Sequence, residues 1–271
     1  MKAGRMKKMQ NKMQIAAPPC PALSDGVHAL AQVAARLYGS GKLVQYIDSD
    51  GGYHTTPSFA VLLQNAQLAQ QKGRAAAVLR QAEIPADGVK TALILLSALL
   101  ERGVAAGCTA QDWTQLDDLL AYGAAYLPRV ARENSGLLPG GGLFLMTLAA
   151  PVRKYARDKR DTSAANILIH ALAQPLLALA QTAGVDGCEV YERVKALAPN
   201  HFFSLHQVGI ERSISTDSPY TDILRMGLDP ADGKIKDLSH APHGVELAVG
   251  EQMLAFVRRA LSKVLDIAAV L

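Results

Sequence analysis

The chain has 271 residues, 49% of them hydrophobic but only 5% aromatic, with a formal net charge of +4. That length allows one large domain or two small ones, and the dominance of Ala and Leu over aromatic residues argues for closely packed helices rather than a β-sandwich. The charge is too small to argue for a nucleic-acid partner, and three widely separated cysteines, Cys20, Cys108 and Cys188, lack metal-ligand spacing and suit a reducing, cytoplasmic setting.

Residues 1–24 are expected to form a basic flexible arm carrying Lys2, Arg5, Lys7, Lys8 and Lys12. Met6, Met9 and Met13 fall at helical spacing within it, so the arm reads either as a solubilising tail or as a sticky stripe for a partner groove. Residues 25–271 are expected to form a single domain. A helix is predicted over 27–37, broken by "YGSGK" at 38–42, followed by a hairpin over 43–56 that turns at Asp50-Gly51-Gly52. Helical periodicity resumes near Ala60 and runs past Ala77. After the break "EIPADG" at 83–88 comes "VKTALILLSALLERGVAAG", apolar nearly all round and therefore expected to be buried. Gly107 ends it, and Thr109 or Asp112 is placed to cap a further helix reaching about Arg132.

The stretch "RENSGLLPGGGLFLM" at 132–146 interrupts the helical pattern with Pro139-Gly140-Gly141-Gly142. Such a run suits either a plain loop or backbone that must approach something closely, such as a phosphate at a helix N-terminus. Helices are predicted over 143–158, over 162–183 with a kink at Pro175, and over about 187–197, and "FFSLHQVGI" within 199–218 reads as a short strand. Met253, Phe256, Val257, Ala260, Leu261 and Val264 form a helical stripe near the end. The longest apolar runs are too short to span a bilayer.

No catalytic triad, P-loop or dinucleotide fingerprint is present, and His240 and His243 in "SHAPHG" read as surface-loop residues. What remains is three glycine-bearing breaks at helix boundaries, containing Gly39 and Gly41, Asp87 and Gly88, and Gly141, with Asp229 in "RMGLDP" as a fourth candidate. Exposed peptide N–H groups at such breaks can surround a phosphate, and a carboxylate there can hold a magnesium ion.

Read in order, these segments resemble the equatorial domain of the group I chaperonins. "GVHALAQVAARLYGSGK" is similar to that domain's first helix and loop, "LVQYIDSDGGYHTT" to its stem loop, and "ADGVKTALILLSALLERGVAAGCTAQD" to its magnesium and phosphate segment. "SGLLPGGGLFLM", "ALAQPLLALAQTAGVDGCEVYERVK" and "YTDILRMGLDP" resemble the segments of its second half, so that the likeness covers roughly residues 26–260. The resemblance implies a mainly helical, equatorial-like fold with a small β-hairpin, its two halves joined near 132–136 with no apical or intermediate domain between them.

It also implies a nucleotide site for ATP and Mg²⁺ built from Gly39, Gly41, Asp87, Gly88, Thr91, Gly141 and Asp229, with Asp87 on the metal. Departures from the family point to a degenerate site: Val89 and Lys90 stand where the family has two threonines, and Lys90 is a candidate stand-in for the metal. A second acidic residue of the family corresponds to Ser58, and the adenine-side segment reads "SISTDS". No catalytic residue is assigned. Two functions follow as expectations. One is an assembly or adaptor protein that binds itself or another protein, including a full-length chaperonin, through hairpin residues Val44, Tyr46, Tyr53 and Thr55. The other is a minimal ATP-binding protein or slow ATPase whose oligomeric state follows the nucleotide.

Overall fold

A computed structural model of the chain describes residues 19–39, 42–159, 162–197, 226–229, 231, 233–237 and 244–268. Among these, the helices are α1 (Pro21–Arg36), α2 (Phe59–Asn65), α3 (Gln70–Arg80), α4 (Val89–Ala105), α5 (Ala110–Glu133), α6 (Ala149–Asp158), α7 (Ser163–Thr182), α8 (Gly187–Leu197) and α9 (Leu247–Ala268). Three short antiparallel ladders accompany them: β1 (Val44–Ile47) with β2 (Tyr53–Thr56), β3 (Leu137–Leu138) with β6 (Val245–Glu246), and β4 (Met226–Asp229) with β5 (Lys234–Asp237). The described chain is therefore mainly helical with a small hairpin.

The core is organised around α4, which α1, α7 and α9 pack against. Leu93, Leu95, Leu96, Leu99 and Leu100 are completely buried along it. Each such side chain contributes roughly 1.5–3 kcal/mol relative to exposure. The stripe of α9 from Met253 to Val264 is buried as its spacing requires, and a bidentate pair, Arg258 to Asp117 at 2.8 Å, ties α9 to α5. Where α4 meets α5, the indole of Trp113 lies directly on Gly103, leaving no room for a Cβ there. Trp113 is 2% exposed, and its Nε1 has no partner among the described residues.

Local chemistry explains several boundaries. Gly107, at φ +67°, ends the turn after α4. Both expected caps then act together: the Thr109 hydroxyl accepts from the Asp112 amide, and the Asp112 carboxylate accepts from the Thr109 amide at 2.7 Å. The Thr109 hydroxyl also donates to the Asp112 carboxylate at 2.6 Å, and this bond first, with the one from the Thr109 amide second, holds the Asp112 carboxyl below its ordinary value.

Elsewhere the structure departs from the sequence reading. Helix α1 starts six residues before Val27, because Pro21 is preset for a first helical turn and Leu23 reaches the core. The helix expected from Ala60 past Ala77 is two helices. Ala66 bridges to Asp48 and the Gln67 amide donates to the Ile47 carbonyl at 2.8 Å, so pairing with the hairpin replaces helical continuation. Arg80 then covers the loose carbonyls of α2, donating to Leu63 at 2.7 Å and Ala66 at 3.2 Å.

Residues 143–148 form turns and a 3-10 segment rather than the start of α6. Helix α7 runs through Pro175 over nearly the expected range, and α5 holds a second internal proline, Pro128. The ladders β3–β6 and β4–β5 were not foreseen either. One helix among the described residues, α7, is long and apolar enough to cross a membrane, which corrects the expectation that every apolar run is too short. In this fold it packs among α1, α4, α5, α6 and α8. The N-terminal methionines, Gly41, the expected strand in "FFSLHQVGI", "SISTDS", His240 and His243 lie outside the described residues.

Candidate functional site

A cleft of about 280 Å³ opens where the loop after α1, the entry to α4 and the glycine run after β3 meet. Five of the seven positions singled out from sequence line it: Gly39, Asp87, Gly88, Thr91 and Gly141. The rest of the lining is largely carbon, supplied by Phe144, Leu179, Leu228, Val249 and Met253. Asp229 stands one residue outside this lining. Its neighbour Leu228 is fully buried in the cleft, whereas the Asp229 carboxylate accepts from the Ala231 amide at 2.9 Å and from Lys236 Nζ at 3.0 Å. Successive residues of a strand point to opposite faces, which accounts for the separation.

The glycines have structural reasons to be there. Gly88 caps α4 in the left-handed region at φ +75° and lies against Met253. Gly142, at φ +77°, passes so close to α7 that an added Cβ would sit 2.9 Å from the Leu176 Cα. The run therefore combines a left-handed backbone with a close helix approach, and only glycine meets both demands.

The polar groups around the cleft are engaged within the chain. Tyr38 Oη and Thr91 Oγ1 are 2.7 Å apart, and burial, partly opposed by that bond, pushes the Tyr38 hydroxyl up to about 12. The Gly88 amide donates to Asp87 Oδ1 at 2.6 Å. Lys90 is not in the wall. Its ammonium donates to the Leu37 carbonyl at 3.0 Å, and Lys42 donates to the Arg36 carbonyl at 3.2 Å. Both lysines thus cover loose carbonyls at the C-terminus of α1, where the helix dipole favours cations. Burial lowers the Lys90 pKa, with Asp87 acting in the opposite direction.

This arrangement corrects the idea of Lys90 as a substitute for the metal. The fit to magnesium itself is limited: among the described residues no group of three or more His, Cys, Asp or Glu could hold an ion. Asp87 is the one carboxylate among the described wall residues, so a divalent cation held by these would have to arrive with phosphate oxygens of its own.

The hairpin positions divide between two faces. Val44 pairs with Thr56 and Tyr46 with His54, and both Val44 and Tyr46 are half-buried against the body. Tyr53 and Thr55 lie on the exposed face, where Ile47 pairs with Tyr53. Leu43, Ile47 and Tyr53 are 62%, 39% and 84% exposed, so the candidate interface gains Leu43 and Ile47, which the sequence reading omitted. The turn is fixed by Asp48, which accepts from the Asp50 and Gly52 amides at 2.9 and 2.8 Å and lies 2.6 Å from His54 Nε2. These bonds, Gly52 first, hold the Asp48 carboxyl below its ordinary value.

No known protein-family model matches the chain.

Proposed function

We propose that the chain is a chaperonin-derived module of the equatorial type, with a degenerate nucleotide cleft, that acts by associating with itself or with another protein. The observation carrying this reading is the hairpin, which exposes Leu43, Ile47 and Tyr53 together while the rest of the described chain leaves one other large apolar side chain, Val104, comparably open. Exposed aromatic and aliphatic side chains clustered on one element mark association surfaces more often than isolated ones do. The edge of β2 that no described strand pairs adds peptide groups that a partner strand can pair with. The test is native mass by light scattering across concentration, for the parent and for a double variant Ile47→Ser, Tyr53→Ser. Self-association in the parent and its loss in the variant support the reading. If the parent is monomeric throughout and partner capture is unaltered in the variant, the hairpin is not the interface.

A second reading, ATP binding without efficient turnover, is favoured by the convergence of Gly39, Asp87, Gly88, Thr91 and Gly141 on one cleft. A phosphate there would meet glycine backbone and the N-terminal end of α4. Titration calorimetry with ATP and magnesium tests it. Binding by the parent that Asp87→Ala abolishes supports the site, and equal binding by both proteins rejects it.

A further inference from the structure

We infer that the cleft now takes an uncharged, largely apolar molecule of about the size of two fused rings, rather than a triphosphate. Its volume is about 280 Å³. An apolar cavity of roughly 150 Å³ is enough to hold benzene, whereas pockets for drug-sized ligands begin at about 300 Å³. A bicyclic ring fits between these limits, whereas a nucleoside triphosphate would have to extend out through the open mouth of the cleft.

The chemistry of the wall points the same way. Phe144, Leu179, Leu228, Val249 and Met253 present carbon to the interior. Among the described wall residues, polar side chains come only from Tyr38, Asp87 and Thr91, and each already has a partner in the chain. Asp87 is the single charged side chain in that wall, and it is negative, so it opposes an anionic ligand. The nearest lysines, Lys42 and Lys90, are directed to the end of α1. Among the described wall residues a phosphate would find one carboxylate and no side-chain cation, whereas an apolar ring can lie against the carbon wall while the exposed Asp87 carboxylate keeps its contact with water.

Met253 makes the inference measurable, because its side chain lies in the wall while Met146 is buried outside it. The full chain, labelled at the methionine methyl carbons, is titrated with indole and separately with ATP plus magnesium, and the methyl resonances are followed by NMR. The expected result is a saturable shift of Met253 with indole, little change at Met146, and no displacement of indole by ATP. Val249→Trp fills the cleft and should weaken indole binding by about tenfold or more. Val249→Met serves if the larger residue prevents folding, with the Met146 resonance reporting the fold. A Met253 shift with ATP that competes with indole overturns the inference in favour of the nucleotide reading. No shift with either probe, or parent-like indole binding in a folded Val249 variant, overturns it and leaves the association reading to its own test.

Discussion

Helix α4 and the β1–β2 hairpin use similar apolar side chains to opposite ends. In α4 the leucines from Leu93 to Leu100 vanish into the core. In the hairpin, Ile47 and Tyr53 face each other across the strands and remain 39% and 84% exposed. The distinction lies in what surrounds the residues. The helix is enclosed chiefly by α1, α7 and α9, with α5 crossing it at Gly103. The two-stranded hairpin has one face on the body and nothing within the described chain over the other. Apolar area covered inside the chain contributes to folding, whereas the same area left open is available for association.

Substitutions can break or sharpen that contrast. The largest expected effect is in the helix: Leu96→Ala should destabilise the chain by about 2–5 kcal/mol in urea unfolding. A loss below about 1 kcal/mol would mean that α4 is not the centre of the core. Next is the glycine run, where Gly142→Ala meets both a left-handed backbone and the Leu176 Cα 2.9 Å away. It should cost about 2–4 kcal/mol. Gly51→Ala in the hairpin turn, with φ +84° but open space around it, should cost only about 1 kcal/mol. Equal costs in thermal unfolding would show that packing against α7 is unimportant.

Thr109→Ala removes the cap of α5 and should cost about 1 kcal/mol near neutral pH. The folded carboxyl of Asp112 is held below its reference value of 3.8, so its contribution is present above that value and lost as the pH falls through the lowered one. The difference between parent and variant should narrow in acid, and a constant difference would remove Asp112 from the cap. The smallest effect on stability belongs to Tyr53→Ser, expected within about 0.5 kcal/mol, although it should weaken association measured by light scattering. A Tyr53 variant that unfolds markedly more easily would turn the exposed face into a structural one.

Much of the helical plan was legible because its signals are local. The apolar run of α4, the stripe of α9 and the Thr109–Asp112 cap all follow from spacing within one element. The hairpin was legible from its glycine turn. What sequence spacing could not supply were contacts between distant segments. The split between α2 and α3 depends on Ala66 meeting Asp48. In the cleft, the break residues Gly39, Asp87, Gly88, Thr91 and Gly141 could be picked out one at a time, but the apolar side chains that α9, α7 and β4 bring beside them could not. Tyr38 stands immediately before Gly39, yet its bond to Thr91 closes a separation of 53 residues. The fate of Lys90 likewise depends on the end of α1 being beside it.

The crossing of α4 and α5 gives the molecule a built-in optical reporter. Trp113 is the only tryptophan in the chain, and it is set against Gly103 at 2% exposure. Its emission on selective excitation comes from a single site in the core, away from both the cleft wall and the hairpin. A shift to longer wavelength therefore signals the opening of this helix crossing, while ligand entry or association that leaves the core intact should pass without a colour change.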